Sequence, residues 1–139
     1  IEDVHGLFHQ LVDTVIAARH KQLTARMDHN IQRVKDIVES RYIDPALCTK
    51  QVASLLGMSP VYLGRIFRNC LAISIAEYIV HIRVEKSRQL LMTSNLSVTE
   101  IASRVGIENL RYLCTKFKER YGMTPSQYRS KRSYTHLLS

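Results

Sequence analysis

Apolar residues recur at steps of three and four along the first forty positions: Val4, Phe8, Leu11, Val15, then Leu23, Met27, Ile31, Val34 and Val38. Such spacing draws one apolar stripe along a helix. No proline interrupts it; Gly6 and the Ala17–Lys21 stretch are its weak points. The pattern predicts two helices, or one long bent helix, with a break near 18–24. The stripe fits a linker packed on something upstream, and it equally fits a homodimer through residues 1–40. The chain opens on Ile1 rather than Met, which raises the expectation of an upstream sensor domain.

Farther along, the pattern changes to short helices with start and stop signals. The first helical segment is expected to end before Asp44-Pro45, because a proline drives the residue before it out of the helical region. Thr49 is expected to cap a helix Lys50–Leu56 that Gly57 closes. Ser59-Pro60 opens a helix to about Leu71. Ser74 caps a longer one, roughly Ile75–Met92. Ser97 and Glu100 have capping-box spacing and open a helix to Val105, stopped by Gly106. Asn109 starts a helix to about Tyr121, stopped by Gly122. Thr124-Pro125 opens a last turn through Arg129, and residues 131–139 read as a flexible tail.

Two stretches of this pattern repeat. Val52-Ala53-Ser54-x-Leu56-Gly57-Met58 matches Ile101-Ala102-Ser103-x-Val105-Gly106-Ile107, 49 residues later. Leu63, Phe67 and Tyr78 match Leu113, Phe117 and Tyr128 at an offset of 50, so the second turn holds one extra residue. Each copy has the logic of a helix-turn-helix. A small Ala lets the second helix approach, a Gly takes the turn, and a Leu/Phe pair four apart buries one face of the second helix. The opposite face is left polar. The units span about 49–72 and 98–122. The helix between them would extend about 27 Å at ~1.5 Å per residue, a plausible spacer for successive major grooves ~34 Å apart.

Charge sharpens this picture. Residues 1–40 hold five Lys/Arg against six Asp/Glu, while residues 41–139 hold fifteen against six. The positive excess therefore belongs to residues 41–139, which suits a polyanionic partner. Five Gly and three Pro are too few for the turns of an all-β domain. Cys48, Cys70 and Cys114 show no CxxC spacing and read as buried or half-buried thiols in a reducing, cytoplasmic setting. No 18-residue apolar run is present, so this segment has no membrane span. No phosphate loop, nucleophile motif or carboxylate pair suggests an enzyme. His5 and His9 lack a third metal ligand, and no cofactor is expected.

The stretch Gly106-Ile-Glu-Asn-Leu-Arg-Tyr-Leu-Cys-Thr-Lys-Phe117-Lys-Glu-Arg-Tyr-Gly122-Met-Thr-Pro125-Ser-Gln-Tyr128-Arg129 resembles the C-terminal signature of the AraC/XylS family of bacterial transcription regulators. Val52-Ala53, Gly57-Met-Ser-Pro, Tyr62-Leu63, Arg65, Phe67-Arg68, Glu77-Tyr78-Ile79 and Arg83 resemble the family's first unit. The resemblance covers about residues 31–130. The family usually has Gly at Ala72, Ala at Ser87, Phe at Ile107, and Ser-Tyr-Phe where Arg111-Tyr112-Leu113 stands. It implies an all-α fold: two helix-turn-helix subdomains joined by a long central helix, preceded by an amphipathic segment over 1–30. It also implies a sequence-specific double-stranded DNA reader, an activator more often than a repressor, that works with RNA polymerase.

Base-reading candidates are Pro60, Val61, Gly64 and Arg65 in the first unit, and Leu110, Arg111, Cys114 and Thr115 in the second. Arg65 and Arg111 lead, because a guanidinium can bond both O6 and N7 of guanine; the alternative for Arg65 is a phosphate or a carboxylate. Ser59, Arg68, Asn109, Lys116 and Lys118 read as phosphate contacts. Tyr62, Tyr78, Tyr112 and Tyr128 read as partial core, and Glu77 and Glu119 as surface ion pairs. Competing readings are a module for an acidic protein partner, and an RNA or membrane-surface binder. The last lacks the aromatic platforms and basic amphipathic stripe such binders use.

Overall fold

The structure, a computed structural model, describes the backbone of residues 2–138 and the side chains of 14, 15, 17, 18 and 25–131. Seven helices and no strand occur among the described residues: α1 (Glu2–Arg41), α2 (Thr49–Leu56), α3 (Pro60–Leu71), α4 (Ile75–Thr93), α5 (Val98–Arg104), α6 (Leu110–Tyr121) and α7 (Pro125–Leu138).

Helix α1 runs unbroken through 18–24, so of the two readings of the sequence the single long helix holds and the two-helix one does not. Ala17-Ala18-Arg19-His20-Lys21 contains no helix breaker, and Ala, Arg and Lys are strong helix formers. A gap in an apolar stripe weakens packing, not the backbone ladder. Five stripe residues have described side chains. Val15 and Met27 are exposed, whereas Ile31, Val34 and Val38 are buried against the first repeat. Most side chains before Ala25, including those of His5 and His9, lie outside the described residues.

Two cores form, one per repeat. The first gathers Ile31, Val34, Val38, Leu47, Val52, Leu63, Ile66, Phe67, Ile75 and Ile79. The second gathers Val84, Leu91, Ile101, Val105, Ile107, Leu113 and Phe117. Helix α4 gives one end to each, which makes it the shared spine. The Leu/Phe pairs are fully buried in both copies. Tyr78 stands edge-on to Phe67 at 5.4 Å, and Tyr128 edge-on to Phe117 at 5.5 Å, so the aromatic arrangement repeats as well.

The turns repeat bond for bond. Met58 N–H donates to Ala53 O at 2.9 Å, and Ile107 N–H donates to Ala102 O at the same distance. Helix α3 stops on Ala72 at φ 62° and α6 on Gly122 at φ 76°, both left-handed.

Local signals needed correction in four places. Cys48, not Thr49, holds the cap position of α2; its backbone is extended and its side chain makes no capping bond. At α4, Ser74 Oγ accepts from Glu77 N–H at 3.1 Å while the Glu77 carboxylate accepts from Ser74 N–H at 3.4 Å. Glu77 is thus a cap rather than an ion-pair partner. The box expected at α5 is half formed, with Ser97 Oγ accepting from Glu100 N–H at 3.1 Å. Helix α7 continues past the turn ending at Arg129, because neither Gly nor Pro follows Pro125. Ser87, where the resemblance expects Ala, is fully buried and donates its hydroxyl to Val84 O, so no polar atom is stranded.

Candidate nucleic-acid interface

Helices α3 and α6 each bury one face and present the other. On α3, Leu63, Ile66 and Phe67 point inward. That register turns Pro60, Val61, Arg65 and Arg68 outward, with Val61 71% exposed; Gly64 is half-buried. On α6, Leu113 and Phe117 point inward, while Leu110, Arg111, Thr115 and Lys118 are exposed and Cys114 and Lys116 are half-buried. The two helices therefore hold all eight sequence-predicted base-reading residues, Gly64 and Cys114 partly sheltered.

Helix starts add to this surface. Ser59 Oγ accepts from Tyr62 N–H at 3.4 Å, and Asn109 Oδ1 accepts from Tyr112 N–H at 3.2 Å. These bonds leave the Ser59 hydroxyl proton and the Asn109 amide hydrogens to donate outward. Helices α4 and α5 place Glu77 and Glu100 in their first turns, whereas α3 and α6 have no acidic residue there. The positive ends of α3 and α6 thus stay unneutralised in the turn where an anion would sit.

The cations differ in availability. The side chains of Arg65, Arg68, Arg111 and Lys118 make no hydrogen bond or ion pair with the described residues. Lys116 is tied: its Nζ lies 3.3 Å from Glu119 Oε2 and 5.7 Å from the centroid of the Tyr112 ring. Arg120 is structural. It donates to Glu85 Oε2 and to His81 O, both at 2.9 Å, and so pins α6 to α4.

Tyr62 and Tyr112 depart from the sequence reading. Both are exposed, at 48% and 42%, rather than partial core. Each precedes the buried Leu by one residue, which turns it off the core face; that offset was visible in the sequence. Cys48 and Cys70 are exposed free thiols, which corrects the expectation of sheltered cysteines, while the free thiol of Cys114 is half-buried as expected. No group of three His, Cys, Asp or Glu among the described residues could hold a metal ion. No helix among them is long and apolar enough to cross a membrane.

Comparison with known proteins agrees with this geometry. A helix-turn-helix domain family matches residues 52–131. The Msm operon regulatory protein of Streptococcus mutans is 29% identical over 129 residues, 93% of this chain and 46% of that protein. The HTH-type transcriptional regulator YijO of Escherichia coli is 32% identical over 108 residues, 78% of this chain and 38% of its own. The chain thus spans less than half the length of these two relatives. Among solved structures, the C-terminal domain of AraT, a response regulator from Geobacillus stearothermophilus, superposes with a TM-score of 0.70 at 36% identity, covering 74% of this chain and 85% of that one. The two matched turns, the paired Leu/Phe cores and these likenesses together place the chain in the AraC/XylS family of helix-turn-helix transcription regulators, as a DNA-binding domain.

Proposed function

We propose that this chain reads two successive major-groove segments of one duplex face, α3 in one and α6 in the next, as the DNA-binding part of a cytoplasmic transcription activator. The observation that carries this is the matched pair of outward faces, each with an arginine side chain that has no partner among the described residues, on a helix whose first turn holds no acid. Arg65 and Arg111 read guanine through paired bonds to O6 and N7, each worth ~1–3 kcal/mol of discrimination. Val61 lies against a thymine methyl. Pro60, Gly64, Leu110, Cys114 and Thr115 complete the two reading faces. Ser59, Arg68, Asn109, Lys116 and Lys118 hold phosphates and fix register. Helix α4, 19 residues long, sets the heads about 28 Å apart at ~1.5 Å per residue, against ~34 Å between successive grooves.

In the whole protein, RNA polymerase is the partner that activation requires, a sensor domain lies upstream, and α1 links that domain to the reading heads or pairs with its copy in a homodimer. The chain binds without catalysing. Selection from a random duplex library at ~0.15 M salt, which suppresses phosphate-driven background, tests the reading. Two short enriched blocks about one helical turn apart are expected, with Arg65→Ala relaxing one and Arg111→Ala the other. A library that enriches nothing, or one block that neither substitution changes, refutes it.

A further inference from the structure

A single helix between two bodies fixes how far apart they are. Its side chains packed into both cores also set their rotation about its axis, and a second contact off that axis stiffens that setting. Here the contact is the loop between α1 and α2. Its chain belongs to the first head, yet the Tyr42 ring packs on the second core. Lys86 on α4 pairs with Glu39 in the last turn of α1 and lies 5.6 Å from the centroid of the Tyr42 ring. Arg83, also on α4 and only 8% exposed, donates from Nε to Tyr42 O at 2.9 Å and from Nη2 to Asp44 O at 2.7 Å.

The far side of the loop meets the second head directly. A Cβ on Gly106 would stand 2.4 Å from Tyr42 O and 2.9 Å from Ile43 O. The turn of the second helix-turn-helix therefore sits on the bare backbone of this loop, and only a residue without a side chain fits. Its counterpart Gly57 has the same left-handed backbone, φ 65° against 83°, with nothing within 4 Å. The repeat supplies the glycine twice; the close approach exists once.

We propose that the Tyr42–Asp44 loop is a strut that fixes the register between the two reading heads. Arg83 clamps it from α4, Gly106 seats it on the second head, and both are positioning residues rather than DNA contacts. The proposal rests on the two-head reading above. Its consequence is selectivity for spacing. Moving one block by a base pair displaces it by ~3.4 Å and turns it by roughly 35°, from the ~10–10.5 base pairs per turn of B-DNA. A braced pair of heads rejects that change, and a pair held by α4 alone tolerates it. Because the strut continues from the last turn of α1, a twist applied to α1 reaches the second head by the same route.

The test measures affinity for duplexes carrying both enriched blocks at the selected spacing, one base pair shorter and one longer. The parent is expected to favour the selected spacing by about tenfold or more, an order of magnitude for lost base contacts. Gly106→Ala and Arg83→Lys lower that ratio at least about threefold. Gly57→Ala carries the same backbone strain without the contact and keeps the parent ratio. Arg83→Lys stands alone should Gly106→Ala fail to fold by circular dichroism. Folded Arg83→Lys with the parent ratio overturns the strut, as does an equal loss in Gly57→Ala. A parent that enriches no two-block site refutes the two-head reading itself, a separate result.

Discussion

Replacing Ala72 by glycine is expected to stabilise the first head. Ala72 is the sole non-glycine residue with positive φ among the described residues. It ends α3 at φ 62°, ψ 7°, with its N–H on Arg68 O at 2.8 Å. Gly122 ends α6 at φ 76°, ψ 0°, with its N–H on Lys118 O at 2.8 Å. The two stops share a geometry and differ by one methyl. That methyl is exposed, so deleting it loses no core contact. An L-residue in the left-handed region costs about 1–2 kcal/mol. Glycine returns about 0.4–1 kcal/mol of this through its freer unfolded chain. The net gain for Ala72→Gly is therefore about 0.5–1 kcal/mol.

Gly122→Ala runs the same exchange backwards. A Cβ at Gly122 would meet nothing within 4 Å, so no contact adds to the balance of strain against unfolded-chain freedom, and a loss of about 0.5–1 kcal/mol is expected. Urea unfolding followed by circular dichroism reads both. With slopes of about 1–3 kcal/mol/M, each substitution moves its midpoint by a few tenths molar, in opposite directions. The sites lie in different heads, so the double exchange is expected to add within about 0.5 kcal/mol. A lower midpoint for Ala72→Gly would refute the left-handed stop on α3, and with it the strict equivalence of the two helix ends.

Three further outcomes follow from the same geometry. Cys48→Ser gives α2 the acceptor its cap position lacks and is expected to raise stability by about 0.5–1 kcal/mol in urea titrations; no gain would mean the cap residue is misassigned. Arg68→Ala and Lys118→Ala remove cations with no partner among the described residues, and each is expected to lower the slope of log K against log salt by about 0.9, while Arg65→Ala relaxes discrimination between sequences instead; an unchanged slope removes that residue from the phosphate set. Desolvation first, and Arg120 second, lower the His81 pKa below its usual 6.5 against a weaker upward pull from Glu85. The folded state then binds fewer protons than the unfolded one, so the His81 contribution is present above pH 6.5 and fades as pH falls through the lowered value. His81→Gln is expected to flatten the loss that sets in as pH falls below 6.5 in urea midpoints, and an unaltered loss would assign it to other groups.

The elements of this fold that could be read from sequence are those governed by neighbours within a few residues. Ser59, Ser74, Ser97 and Asn109 mark helix starts because a cap bonds an N–H three residues on. The Leu/Phe pairs mark buried faces because four residues make about one turn. The failures also have local causes. Thr49 and Cys48 are adjacent, and which one caps depends on the angle at which the chain leaves the Asp44 turn, where Asp44 Oδ1 accepts from Ala46 N–H at 2.9 Å. Cys70 shares helical spacing with buried Ile66 and Phe67, yet it lies in the last turn of α3, where the face runs into solvent.

The candidate site divides in the same way. Which residues face outward follows from periodicity, whereas which cations are free does not. Lys116 and Lys118 are two apart on one helix, and only the first finds Glu119. A repeat is silent in a deeper sense about the contact between its copies. Each copy encodes the same turn, so alignment assigns Gly57 and Gly106 one role. The assembled molecule gives them two, because Tyr42 precedes only the first copy and folds against only the second. Arg83 reaches the carbonyls of Tyr42 and Asp44 across 41 and 39 residues, a pairing no local spacing rule can express. What the sequence shows twice builds the reading heads; what it shows once relates them.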